Sequence, residues 1–240
     1  MTQYSEDEAW ADIEPLPQDD GGAHPLAAIA YTEEYSEAIS YLRAVMAKNE
    51  MSERALDLTE HIISMNPAHY TVWYATFFVI SPTNPGYDSY SQATNIIVYR
   101  LYRAKVLFVI NASLRDEIAW INPTALKHLK NYQIWHHRQT IVDRLDSPEG
   151  ETAFISRMFE ADAKNYHVWS YRQWLVRRFD LWEKGELEST EEILKKDIRN
   201  NSAWNHRWFV VFGRDDKVIK DQEILNREIE LVSSVHSLID

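Results

Sequence analysis

The chain contains no cysteine and only six glycines in 240 residues. Without thiols it can form neither a disulfide nor a thiolate zinc site, and the cytoplasm is the default compartment. Six glycines leave little material for a phosphate-cradling loop, and neither a P-loop nor a nucleophile elbow occurs. No apolar run approaches the roughly 20 residues of a membrane span, and the acidic N-terminus lacks the basic and apolar regions of a signal peptide. Basic residues are also short, 25 Lys and Arg against 37 Asp and Glu, for a net charge of -12. A protein that tracks a nucleic-acid backbone needs the opposite surplus, so nucleic acid is not expected as a partner. The nine histidines form no HExxH helix, and adjacent His136 and His137 fall on different sides of a helix. No metal is assigned to this chain.

What is present is a globular composition, 45% hydrophobic and 12% aromatic. Residues 1–28 carry seven acidic side chains, no Lys or Arg, and the breakers Pro15, Pro17, Gly21, Gly22 and Pro25, which predicts an acidic disordered arm. Beyond it apolar residues recur at helical spacing, Tyr35, Ile39, Leu42 and Val45, then Ala55, Leu58, Ile62 and Met65. Ser147-Pro148 has the pattern of an N-cap with proline at the first helical position, and Ser189 with Glu192 that of a capping box.

The strongest signal is an internal repeat. The stretch from Lys130 through Asn131, Tyr132, Gln133, Trp135 and Arg138 recurs from Lys164 through Asn165, Tyr166, His167, Trp169 and Arg172, and again from Arg199 through Asn200, Trp204 and Arg207. The tryptophans are 34 and 35 residues apart, the period of a helix-turn-helix solenoid unit. The expected fold is therefore all-α, a TPR-like alpha-alpha solenoid over residues 29–240. In each unit Trp and Arg stand three apart and share a helix face, the Trp filling the seam between units and the Arg pairing with a carboxylate of an adjacent helix. The Asn-Tyr ahead of each Trp falls where the first helix ends. Successive turns then line one edge, a candidate site.

These Asn-Tyr-x-x-Trp-x-x-Arg units resemble the repeats of protein prenyltransferase alpha subunits, over roughly residues 29–73 and 101–232. The resemblance implies a right-handed superhelix, a crescent of antiparallel helix pairs wrapped around a beta subunit that holds zinc and most of the isoprenoid pocket. It implies transfer of a farnesyl or geranylgeranyl group from its diphosphate, which carries magnesium, to the cysteine of a C-terminal CaaX motif. Lys130 matches the lysine that contacts the diphosphate, a cation aimed at charge developing on the leaving group. Gln133 matches the position that takes up the substrate's terminal carboxylate, and Tyr166 and His167 match residues beside the diphosphate. Tyr70 would border the peptide site. The other readings are the alpha subunit of the Rab-type geranylgeranyltransferase and a non-catalytic repeat scaffold.

Two irregularities complete the reading. Residues 74–100 separate Trp73 from Leu101-Tyr102-Arg103 and carry Pro82, Pro85 and Gly86. They read as an insertion within one repeat helix, and translated intron sequence would account for it. Asp221–Val235 reads as the first helix of a further repeat, yet no Trp stands near 239, so the C-terminal end reads as truncated.

Overall fold

A computed structural model describes residues 4–19, 29–73, 102–214 and 222–236, and among them every regular element is helical. In chain order these are α1 (Glu33–Ala47), α2 (Glu53–Met65), α3 (Tyr70–Trp73), α4 (Tyr102–Val109), α5 (Leu114–Lys127), α6 (Tyr132–Leu145), α7 (Glu151–Ala161), α8 (Tyr166–Phe179), α9 (Glu186–Lys196), α10 (Asn201–Phe212) and α11 (Gln222–His236). The chain forms two compact units, residues 1–125 with 136–144, and residues 126–135 with 145–240. Turns of about four residues join α7 to α8 and α9 to α10, too short for anything but an antiparallel return.

In the first unit the apolar period builds α1 and α2. Thr32 caps α1 by accepting the Tyr35 N–H at 3.3 Å, Glu33 and Glu34 face the positive end of the helix dipole, and Tyr35, Ile39, Leu42 and Val45 are buried. Ser52 caps α2 in the same way, and Ala55, Leu58 and Ile62 are buried beneath it.

The expectation of a disordered arm fails over residues 4–18. Tyr4, Trp10 and Ile13 are buried, and Trp10 and Tyr4 pack their rings against Tyr41 of α1. The acidic character is what the helices use to hold it. Arg54 of α2 takes both Asp12 carboxylate oxygens at 2.7 and 2.8 Å, and those bonds hold the Asp12 carboxyl down at about 2. Lys48 donates to the Asp12 carbonyl at 2.8 Å and Arg43 to the Leu16 carbonyl at 3.0 Å. The segment is thereby fastened to α1 and α2.

The repeat signature has one structural meaning throughout. Each indole N–H donates to the carbonyl six residues earlier, Trp73 to Pro67 at 2.9 Å, Trp135 to Leu129 at 3.1 Å, Trp169 to Ala163 at 2.9 Å and Trp204 to Ile198 at 2.8 Å. The side chain thereby fixes the turn that precedes its own helix. Arg103 and Arg172 are buried with carboxylates, while the buried Arg138 donates to the Asn122 side-chain oxygen at 2.7 Å. Arg103 grips both oxygens of Glu117 at 2.7 Å, and the same carboxylate lies 2.7 Å from His137 Nε2. In the second unit Arg172 and His206 meet on Glu186, each at 2.7 Å. One glutamate of a first helix therefore joins the second helix before it to the second helix after it.

Burial decides the protonation states of these clusters. It lowers the pKa of His137 and of His206, so both imidazoles are neutral near pH 7 and donate Nε2–H to the carboxylate. Burial alone would raise Glu117, but the hydrogen bonds from His137 and Arg103 outweigh it and hold the carboxyl at about 2.

The starts of α7 and α9 differ from the expected caps. Ser147 bonds only to the Glu149 N–H, and α7 begins after Gly150, whose φ is 84°. The helix α9 begins after Gly185, also at 84°, so Ser189 lies inside its first turn and donates its backbone N–H to Gly185. Each linker leaves the preceding helix through a left-handed aspartate, Asp146 or Asp180, and enters the next through a left-handed glycine.

The expected insertion at 74–100 lies outside the described residues, but its flanks are described. Trp73 holds the Pro67 carbonyl as the other tryptophans hold theirs, and Arg103 holds Glu117 as Arg172 holds Glu186. The helices α3 and α4 thus carry the two halves of one repeat-helix signature. At the other end Arg207 takes Glu228 of α11 through two bonds, at 2.7 and 3.0 Å. Glu117 and Glu186, which pair with Arg103 and Arg172, each precede the next Trp by 18 residues.

Candidate functional site

The edge of turns is built in the second unit. Two of the turns open with an aspartate that folds them back: Asp162 accepts the Lys164 N–H at 3.1 Å and Asp197 the Arg199 N–H at 3.0 Å. Each closes with an asparagine that caps the following helix. Asn131 accepts from Ile134, Asn165 from His167 and Val168, and Asn200 from Ser202 and Ala203. The asparagine also reaches back one repeat, Asn165 Nδ2 to the Leu129 carbonyl and Asn200 Nδ2 to the Ala163 carbonyl, both at 3.1 Å. Each of those carbonyls already receives the indole of its own repeat, so the turns are locked at a fixed pitch.

On this scaffold the repeat positions present different chemistry. Lys164 forms an ion pair with Asp197 of the next turn at 2.8 Å, and the bond pulls the Asp197 carboxyl below its usual range. Lys130, at the same position one repeat earlier, is exposed and has no ion pair among the described residues. Its charge is uncompensated. Gln133 lies half-buried on the first turn of α6, and no hydrogen bond engages its amide among the described residues.

Tyr166 and His167 open α8. Tyr166 is 71% exposed, and the His167 ring lies 5.6 Å from it at 76°. Burial lowers the His167 pKa, so at neutral pH the imidazole is uncharged, with one N–H to donate. Lys130 and Gln133 flank the start of α6, and Tyr166 and His167 open α8, on turns of one unit joined by the Asn165–Leu129 bond. Tyr70 opens α3 in the first unit, and its side chain lies outside the described residues.

One member was missed from the sequence. Tyr132, first residue of α6 and 65% exposed, meets the His167 ring edge-on at 4.2 Å and 85°. Its repeat counterpart Tyr166 is among the expected site residues. The repeat alignment of Tyr132 with Tyr166 was the signal that could have found it. At the N-termini of α6 and α8, Tyr132, Tyr166 and the neutral His167 are joined by ring contacts, and the exposed Lys130 stands two residues before Tyr132. Such a set suits an anion with several oxygens.

Comparison with known proteins gives this edge a context. The model of the protein prenyltransferase alpha subunit repeat matches residues 52–75, 114–145, 148–179 and 184–213. A solved structure of Candida albicans protein geranylgeranyltransferase-I complexed with GGPP superposes with a TM-score of 0.73, at 32% identity, over 96% of this chain and 69% of that one. The chain belongs to the protein prenyltransferase alpha subunit family. The Dictyostelium discoideum protein farnesyltransferase/geranylgeranyltransferase type-1 subunit alpha is 36% identical over 234 residues, 95% of this chain and 63% of that protein. The geranylgeranyl transferase type-2 subunit alpha of Mus musculus is more distant, 25% identical over 208 residues, 81% of this chain and 33% of that protein. The chain spans less than two thirds of the length of the curated relatives at the head of the comparison.

The family repeat coincides with the structural one: α5–α6, α7–α8 and α9–α10 each fill one matched segment. The matched segment on α2–α3 stops at residue 75, two past Trp73, where the others run on through their arginine.

Proposed function

We propose that the chain acts as the alpha subunit of a heterodimeric CaaX protein prenyltransferase, and that the edge at Lys130 meets the isoprenoid diphosphate. The observation that carries this reading is the uncompensated charge of Lys130. The equivalent Lys164 is neutralised by Asp197, whereas Lys130, two residues before Tyr132, has no ion pair among the described residues. In the reaction the substrate thiol loses its proton and the sulfur bonds to C1 of the isoprenoid. The C1–O bond breaks, and its electron pair leaves with the diphosphate. Lys130 strengthens its interaction as that charge develops, and Tyr166 and His167 donate to the same oxygens. Gln133 donates its amide N–H to the terminal carboxylate of the CaaX peptide, and Tyr70 borders that peptide.

Zinc and magnesium are assigned to the partner subunit and to the diphosphate. The chain has no cysteine, and among the described residues no group of three His, Asp or Glu side chains could hold a metal ion. No helix among the described residues is long and apolar enough to cross a membrane. The greater distance of the type-2 relative argues against the Rab-type reading.

The test is co-expression with the beta subunit of a CaaX prenyltransferase. A stable complex that prenylates a Cys-peptide is expected. A stable complex without transfer would favour the scaffold reading, and failure to form any complex would refute the proposal.

A further inference from the structure

The N-terminal segment is held in two different ways along its length. From Ala9 onward cations hold it: Arg54 donates to the Ala9 carbonyl and to Asp12, Lys48 to the Asp12 carbonyl, and Arg43 to the Leu16 carbonyl and to Gln18. Ahead of Ala9 the groups that meet it are acids. The Ser5 N–H donates to Glu37 Oε1 at 3.0 Å. Burial pushes the neighbouring Tyr4 phenol up to about 12, and the carboxylates of Glu37, Glu34 and Asp57 add to that rise. The basic group facing Tyr4 is His61, whose Nδ1 lies 2.6 Å from the Tyr4 hydroxyl and whose Nε2 lies 3.4 Å from Glu34.

The residues laid over these acids are themselves acidic. Glu6 and Glu8 are exposed, and neither side chain has a partner among the described residues. With like charges on both sides, this end is kept down by aromatic packing. Tyr4 and Trp10 are buried with their rings 5.1 Å apart, and Tyr41 of α1 lies 5.4 Å from the first and 5.5 Å from the second.

Between the two sets of acids stands Ser5. It is exposed, and apart from its backbone bond to Glu37 it makes no hydrogen bond among the described residues, so its Oγ is open. Glu6, Asp7 and Glu8 occupy the first, second and third positions after it. A kinase that selects acidic substrates reads such carboxylates with clustered Arg and Lys side chains.

We infer that Ser5 is a phosphorylation site for an acid-directed serine kinase, and that its phosphate releases the leading end of the segment, Tyr4 to Trp10, from α1 and α2. In the transfer Ser5 Oγ bonds to the γ-phosphorus of ATP and gives up its proton to a base of the kinase. The bond from that phosphorus to the bridging oxygen breaks, and ADP leaves with the electron pair. The new group carries about 1.5 to 2 negative charges and arrives beside Glu37. Among the described residues no Lys or Arg side chain bonds to residues 4–8, so nothing there meets the phosphate with opposite charge. Repulsion then works against the aromatic packing, while the half held by Arg43, Lys48 and Arg54 keeps its bonds. The inference stands on this chain alone and does not use the partner subunit.

The test treats the full chain, as wild type, S5A and E37Q, with ATP and a purified serine kinase whose preferred substrates carry an acid three residues after the serine. Mass spectrometry locates the phosphate. Hydrogen exchange follows the amides of Asp7, Trp10 and Ile13, which bond to the carbonyls of Tyr4, Asp7 and Trp10 in the docked segment. Phosphate at Ser5 in the wild type and none at that position in S5A is expected. On phosphorylation those three amides should exchange about tenfold faster or more, while Leu16, which bonds to the Ser40 carbonyl, and the amides of α8 stay unchanged. E37Q keeps an acceptor for the Ser5 N–H without the charge, so phosphate should speed exchange less in that variant. No phosphate on Ser5, or equal incorporation into wild type and S5A, would overturn the site. Phosphate on Ser5 with unchanged exchange at the three amides would overturn the release, and equal acceleration in E37Q and wild type would overturn repulsion as its cause.

Discussion

Replacing Glu186 by alanine removes the acceptor shared by Arg172 and His206, both of which bond to it at 2.7 Å. The Arg172 side chain is 4% exposed, so its guanidinium cannot turn to water when the carboxylate is lost. Breaking a buried pair by deleting one partner costs about 3–5 kcal/mol, most of it the uncompensated charge that remains. With a urea m-value of about 2 kcal/mol/M, the unfolding midpoint should fall by about 1.5–2.5 M. A second variant separates lost attraction from a stranded charge. Arg172→Met with Glu186→Leu removes both charges at similar volume and should recover most of the loss, since a buried ion pair adds little over a well-packed apolar one. Urea titrations of the heterodimer followed by circular dichroism would measure both. A loss below about 1 kcal/mol in Glu186→Ala, or a double variant as unstable as the single one, would refute the argument.

Stability should fall with pH in two stages. His137 and His206 have depressed pKa values in the fold, so below about pH 6.5 the unfolded chain takes up protons that the native state refuses; Glu117, held at about 2, adds a further loss below about pH 4.3. Thermal melts from pH 8 to 4 would check this, and a flat profile between 7 and 5 would contradict neutral buried histidines. Deleting residues 74–100 should let α3 run into α4 and leave pairing with the beta subunit at least as tight, measured by co-purification. Peptides from within 74–100, found by mass spectrometry in abundant active native heterodimer, would refute the reading of that stretch as translated intron.

The parts of this fold that were legible in the sequence are those carried by side chains within one helix. Trp and Arg three apart announce a shared face, and Trp135, Trp169, Arg103 and Arg172 are buried in those roles. What the arginine pairs with was less visible, because Glu117 and Glu186 lie 14 residues further on, in another helix. Spacing was there to be read, since each glutamate also stands 20 residues before its histidine. The N-terminal arm misled because composition counts its acids and prolines but not the basic groups waiting for them on α1 and α2: Arg43, Lys48 and Arg54. The cap patterns at Ser147 and Ser189 misled because a left-handed glycine, with no side-chain signature, starts each helix instead. At the candidate site the sequence marked the turn and its lysine. Only the structure distinguishes the paired Lys164 from the free Lys130 and sets Tyr132 against His167.

The central claim, that Lys130 faces the leaving diphosphate, is tested most directly by single-turnover kinetics of the heterodimer carrying Lys130→Ala, with Lys164→Ala as the control from the same repeat position. Loss of one preorganised electrostatic donor should slow the chemical step on the order of ten- to a thousandfold and change isoprenoid diphosphate binding much less. Lys164→Ala, which removes a charge already satisfied by Asp197, should change the rate little. A wild-type single-turnover rate in Lys130→Ala, or an equal loss in both variants, would contradict the assignment.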